Sequence, residues 1–345
     1  MAGSRSQSVD AATISRAVER YRFSPGVLLA LKPFLRQRDN WHGPAWLVED
    51  WILLLATVTF AEWLRNDVST GAFIASYPVV VLVIGARQRG LATLLHDSAH
   101  RTLARNRIVN LLAGTLLAGY PVLQSHSGYR ATHVRAHHPL HRFGVLGSDP
   151  DYTEIVNLGL YGPGLRSGAV RQYLLGLLGP VPTFKYAAYL LRHRMLATEE
   201  SRTERFVRFS YLAFLMAVVV YLGLGWILVL YWLVPLVTSA NWIGSLSELV
   251  EHYPFIETKP RVDVFLSRNT LGNAFANFFL GVDNDSYHRV HHLFPSISGW
   301  NFRRVHAVLM RDSVYFELHE AAGWRDVLSE LTQMRDTRAP LRTST

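Results

Sequence analysis

Apolar runs close to twenty residues long recur in this chain, and they limit its fold more than any other feature. The first covers Pro44–Leu64 and the second Ala72–Leu95, whose last turns are polar. The stretch Ser210–Gly244 is apolar throughout and long enough for two crossings, hinged near "GLGW" at 223–226. A bilayer core takes about 20 apolar residues per helix. Backbone groups in lipid must be satisfied within the segment, so spans of this length are helical. The expected class is therefore all-α: an integral membrane helical bundle of about four transmembrane helices. The charges of Glu49 and Asp50 sit awkwardly in the first span.

Two further runs fall short. Ile108–Leu123 would be about 24 Å long as a helix, less than the ~30 Å of a hydrocarbon core. Tyr173–Leu191 contains two prolines and a lysine. Both read as interfacial or re-entrant helices.

The 345 residues carry a net charge of +9, nearly all of it arginine, with lysine only at positions 32, 185 and 259. The N-terminal segment, residues 96–208 and the region after 245 hold most of the arginine. The connection 65–71 and the hinge near 223–226 hold little. By the positive-inside rule the rich regions face the cytoplasm, and four spans put them on one side. The localisation expected is the inner (cytoplasmic) membrane. Basic charge is explained by topology, and no aromatic-basic interleaving points to nucleic acid. The N-terminus has no apolar core of a secretory signal. The division expected is an N-terminal cytosolic segment (1–43), a membrane domain (44–300) and a C-terminal cytosolic helical tail (301–345).

On this frame sit four histidine clusters, with nine of the fifteen histidines. "HDSAH" holds His96 and His100. "HVRAHH" holds His133, His137 and His138. "ELVEHYP" holds Glu248, Glu251 and His252, and "HRVHH" holds His288, His291 and His292. Residues i, i+3 and i+4 of a helix share a face. His96 with His100, and His133 with His137, can each aim two ring nitrogens at one point. On an ideal helix His138 points about 100° away from His137, toward a second metal. The clusters lie at span edges, so all can meet in one cytosolic layer just outside the bilayer. With no cysteine, thiolate sites are excluded. Nine imidazoles are too many for one ion and suit two metals with open positions. Zinc, with three or four protein ligands, would leave many idle, and two irons use them better. The carboxylate di-iron bundles need Glu-x-x-His pairs, which this chain lacks.

These motifs, in this order and with two spans before the first and two between the second and third, resemble the membrane-bound fatty-acid desaturase family (histidine-box di-iron desaturases and hydroxylases). The resemblance covers roughly residues 44–300. It implies a cytosol-facing pair of iron ions held by His96, His100, His133, His137, His138, His288, His291 and His292. It also implies dioxygen as co-substrate, and a separate electron donor, a ferredoxin or cytochrome with its reductase. The chemistry implied is insertion of a C=C bond into an acyl chain or lipid-like molecule. In stearoyl-CoA-type desaturases a further histidine follows the fourth span, with asparagine one turn earlier. His252 and Glu248 occupy those places, so Glu248 is a departure: a candidate ligand, or a group that orients one. Asp97 and Asp285 are candidates of the same two kinds. "HHPLHRFGVLGSDPDY" resembles bacterial desaturase-like enzymes of specialised metabolism, which act on small or polar molecules.

Two other readings compete. "EHYP" is similar to a stretch of the membrane alkane hydroxylases, and the same ligand set would serve C–H hydroxylation. A histidine-rich metal transporter would need ionisable ligands near mid-membrane, and the span interiors "ILLLATVTF" and "AFLMAVVV" offer none.

Overall fold

The computed structural model describes residues 17–161, 168–176, 179–318 and 323–333. The first sixteen and last twelve residues, parts of the expected N-terminal segment and C-terminal tail, lie outside the described residues.

Helix α1 (Pro25–Arg36) leads into α2 (His42–Trp63) and α3 (Thr70–His100). Ser69 starts α3 by accepting the N–H of Ala72, and Arg101 ends it in the left-handed region at φ 64°. α4 (Arg107–Gly119) is short and apolar. α5 (His126–Tyr129) passes without a break into a π-helical turn, Arg130–His137. Then come α6 (Pro150–Asn157), α7 (Ala169–Gly176), α8 (Pro180–Leu190) and α9 (Arg202–Tyr221). A turn containing Gly223 at φ 66° separates α9 from the next rod, where the sequence placed its hinge. That rod ends in α10 (Ser239–His252), which stops where Tyr253 turns extended ahead of Pro254, as a residue before proline is biased to do. α11 (His288–Leu293), α12 (Phe302–Leu309) and α13 (Trp324–Gln333) complete the set, with single turns between. There is no strand among the described residues, only isolated bridges such as Glu19 with Val262.

Two rods, Thr70–His100 and Gly225–Thr258, are long and apolar enough to cross a bilayer. α2 packs along α3, and the awkward Asp50 is buried there against Arg87 at 3.1 Å. Small residues let the helices approach closely. A Cβ on Gly85 would fall on Ser239 of α10, and one on Gly114 of α4 would fall on Ser98. α2, α4 and α9 turn large apolar side chains outward, among them Ile52, Leu55, Ile108, Phe206 and Phe214. At the other end, Phe23 and, from α1, Val27 and Leu31 share a core with Val290 and Leu293 of α11 and Phe302 and Val305 of α12. α1 and α12 therefore buttress the fourth histidine cluster. α3 and α10 both end at the histidine layer and bring there the carbonyl ends of their dipoles, which favour cations.

Candidate metal centre

His96 and His100 occupy the last turns of α3, and His252 is the last residue of α10. His133 and His137 ride the π-helical turn, with His138 just beyond. His288, His291 and His292 line α11. All nine converge. They form two nests in which the ligating atoms lie within 4.8 Å of one another: His96, His100, His133, His138 and His291 in one, His137, His252, His288 and His292 in the other.

This division differs from the helical expectation for the second cluster. There His133 and His137 should pair and His138 stand apart. Instead, Nε2 of His138 lies 3.0 Å from Nε2 of His133, while Nε2 of His137 lies 3.3 Å from Nε2 of His292. The cause is the wider turn. The N–H of His138 donates to the carbonyl of His133, an i to i+5 bond, so residues five apart share a side. α11 is also split between the nests. Its i,i+4 pair, His288 and His292, goes to one, and His291 reaches the other.

The geometry fits metal ions. Metal–imidazole bonds of about 2.0–2.1 Å place adjacent donors roughly 2.9–3.4 Å apart. His96 and His291, His291 and His138, and His288 and His252 each face one another through Nε2 at 2.9 Å. His252 Nδ1–H donates to the carbonyl of Leu266, at 2.9 Å. A carbonyl only accepts, so the proton is on Nδ1 and Nε2 presents a bare lone pair. His288 Nδ1 lies 3.4 Å from a Glu251 oxygen, and a proton directed there would leave its Nε2 bare as well. Two lone pairs at 2.9 Å then suit neighbouring donors to one cation. His100 Nε2 is likewise buried without a partner among the described residues.

Carboxylates stand behind the rings. Asp149 holds Nδ1 of His137 at 3.0 Å, Asp97 lies 3.2 Å from Nδ1 of His96, and Asp151 lies 3.5 Å from Nδ1 of His133. Such partners set the tautomer and raise ligand basicity. Burial, reinforced by neighbouring imidazoles, holds His133, His138, His288, His291 and His292 well below the usual imidazole range, so they are neutral donors. In His137 burial acts the same way, but the charge and hydrogen bond of Asp149 outweigh it and raise the pKa.

The other candidates fall in different places. Asp285 pairs with Arg89 at 2.8 Å and groups with Glu251 and His288. Glu248 belongs to neither nest and accepts from the hydroxyl of Tyr186 at 2.8 Å. Asp149 caps α6, and the same carboxylate orients His137. Glu251, three residues after Glu248 and one before His252, lies 3.4 Å from Nδ1 of His288. Arg289 donates to the carbonyls of Ser267 and Leu318 and anchors α11.

Beside the nests a small gap of about 40 Å³ is lined by His96, His133, His137, His252 and His288. A larger cavity of about 310 Å³ adjoins it, sharing Arg89, Tyr129, Arg194 and Glu248.

Comparison with known proteins agrees with this chemistry. Dihydrorhizobitoxine desaturase of Bradyrhizobium elkanii is 33% identical over 335 residues, covering 93% of this chain and 86% of that protein. The chloroplastic omega-6 fatty acid desaturase of Spinacia oleracea is 23% identical over 257 residues, covering 70% of this chain and 55% of that protein. The family pattern "Fatty acid desaturase" matches residues 72–324, a stretch that contains all nine histidines. The chain belongs to the fatty acid desaturase family, and it is an oxidoreductase.

Proposed function

We propose that the two nests each hold one iron ion, and that the chain is a membrane di-iron, dioxygen-dependent desaturase. The observation that carries this is the division of nine imidazoles into groups of five and four, with bare Nε2 atoms spaced as neighbours around an ion. All nine predicted histidines serve as ligands: His96, His100, His133, His138 and His291 to one iron, His137, His252, His288 and His292 to the other. Asp97, Asp149, Asp151 and Glu251 orient the rings, and Asp285 holds Arg89 beside them. When bound, the irons supply the means to activate dioxygen and remove hydrogen from an unactivated C–H bond. Dioxygen takes four electrons to become two waters. Two come from the substrate as it gains its double bond and two from a separate donor, a ferredoxin or cytochrome with its reductase.

The protein supplies position and exclusion. Ala92, Val122 and Leu190 line the larger cavity and keep its wall apolar. Tyr129 and Arg194 hold the boundary with the histidine layer, where Arg194 pairs with Asp151 at 3.1 Å. The substrate is a lipid-like or small molecule reaching the nests through this cavity.

Four crossings, α2, α3, α9 and the rod ending in α10, would put all four histidine clusters on the cytoplasmic side of the inner membrane. The outward apolar side chains of α2 and α9 support this, since contiguous apolar surface of this extent needs a lipid or protein cover. α4 and α8 then lie at the interface. Residues 1–43 and 301–345 flank the 44–300 membrane domain on the cytosolic side.

Metabolite profiling by mass spectrometry of cells making the wild type or His291→Ala tests the reading. A product two hydrogens lighter than its precursor, present only with the wild type, is expected. With labelled dioxygen, label retained in the product would reject desaturation in favour of hydroxylation. No difference between the two strains would overturn both.

A further inference from the structure

Glu248 stands one helical turn before His252, yet it is not part of either nest. It lines both the gap beside the histidines and the larger cavity that adjoins it. The boundary between the two spaces is therefore charged. Its arginines are matched: Arg89 pairs with Asp285 at 2.8 Å, and Arg194 with Asp151 at 3.1 Å. Glu248 has the hydroxyl of Tyr186 on one oxygen, and no ion pair joins it to a cation among the described residues. A buried carboxylate in this state is costly unless it is protonated or a charge partner arrives.

The rest of the wall repeats the demand. Gln88 spends its amide N–H on the carbonyl of Trp232, and its Oε1 is buried without a partner among the described residues. Gln124 Oε1 is in the same condition, and both residues line the cavity. Buried polar groups are ordinarily hydrogen-bonded. A long acyl chain laid in this space would cover them with methylenes and satisfy none. An ammonium group has three N–H donors and a positive charge. Glu248, Gln88 and Gln124 offer acceptors for all three. The volume, about 310 Å³, is at the small end of ligand pockets, which run about 300–1,000 Å³.

We propose that Glu248 binds a protonated amine of the substrate, and that this enzyme acts on a compact amine-bearing molecule with a short apolar part. The inference rests on the reading of the adjoining histidines as the oxidising centre. With its amine held at Glu248, the substrate would extend its apolar carbons toward the nests. Glu248 is then a specificity-determining residue and not a metal ligand.

The test is calorimetric titration of the purified metal-loaded chain, without dioxygen, using n-octylamine and octanoic acid as probes. Octylamine should bind at least tenfold more tightly than octanoate. Glu248→Gln should abolish that preference with metal content unchanged, and Tyr186→Phe should reduce it severalfold. Equal affinity for the two probes, or tighter binding of octanoate, overturns the proposal. So does a preference that survives Glu248→Gln, and loss of metal in that variant would make Glu248 a ligand instead. Should Glu248→Gln fail to fold, the wild-type preference and Tyr186→Phe decide. Turnover plays no part, so a negative result leaves the oxidation reading standing. That reading fails separately, if the histidines hold no metal.

Discussion

His137 Nδ1 lies 3.0 Å from both oxygens of Asp149, and the same carboxylate accepts the backbone N–H groups of Gly144, Asp151 and Tyr152. One fully buried side chain thus ties a ring in the second nest to the start of α6. Removing the partner behind a metal-bound imidazole costs about 10–100-fold in metal affinity. Asp149→Ala should show that loss in a chelator competition titration, together with a lower melting temperature from the lost cap. Asp149→Asn keeps most of the backbone bonds and should recover more of the stability than of the affinity. Equal recovery of both would mean that Asp149 serves the fold alone.

A second outcome concerns metal removal. The nests are buried and their lone pairs face one another, so the stripped chain should be the less stable form. Binding stabilises a folded state by about 4.1 kcal/mol when free metal is at 1,000 times its dissociation constant. Thermal unfolding with and without a strong chelator measures this. Addition of ferrous ion to the stripped chain should restore the melting temperature. An unchanged melting temperature on stripping would place the ions elsewhere.

Glu200 and Arg208 form an ion pair at 2.9 Å with both side chains fully buried. Arg208 also donates to the carbonyl of Met195. Breaking a buried pair by removing one partner costs about 3–5 kcal/mol, because the other charge is left stranded. Glu200→Ala should therefore lower the melting temperature sharply. The double variant Glu200→Ala with Arg208→Leu should recover most of the loss. No recovery would mean that the lost packing of these side chains, not the stranded charge, sets the cost.

Gly114 meets Ser98 between α4 and α3, and Ser98 sits between His96 and His100. A methyl group at 114 has no room. Overpacking of this kind costs about 1–3 kcal/mol, and relief requires α3 to shift. Gly114→Ala should lower both stability and metal content of the nest containing His96 and His100. Ser98→Gly in the same chain should restore them. Restored stability with metal still missing would show that the contact positions the histidines independently of helix packing.

Much of the site was legible from spacing, and the limits are instructive. The i,i+4 rule places His96 with His100 correctly because α3 is regular through that turn. It misassigns His137 and His138, since a π-helical turn gives no signal in "HVRAHH" itself. Asp149, ahead of Pro150, marks a turn in the sequence. Its bond to His137 spans twelve residues and a folded turn, which periodicity does not report. Glu251 shows the same limit. It meets His288 across thirty-seven residues of chain. Among the spans, the hinge near 223–226 was readable from its glycines. The place of Asp50 was not, because its partner Arg87 comes from another helix.

The division of the nine histidines is open to one decisive count: iron bound per purified chain, in the wild type and in variants of each nest. The wild type should carry two irons. His252→Ala with His288→Ala should carry one, and His96→Ala with His100→Ala should also carry one, held by the other nest. A wild type that saturates at one ion, or paired variants that still hold two, would contradict a centre built as two separate nests.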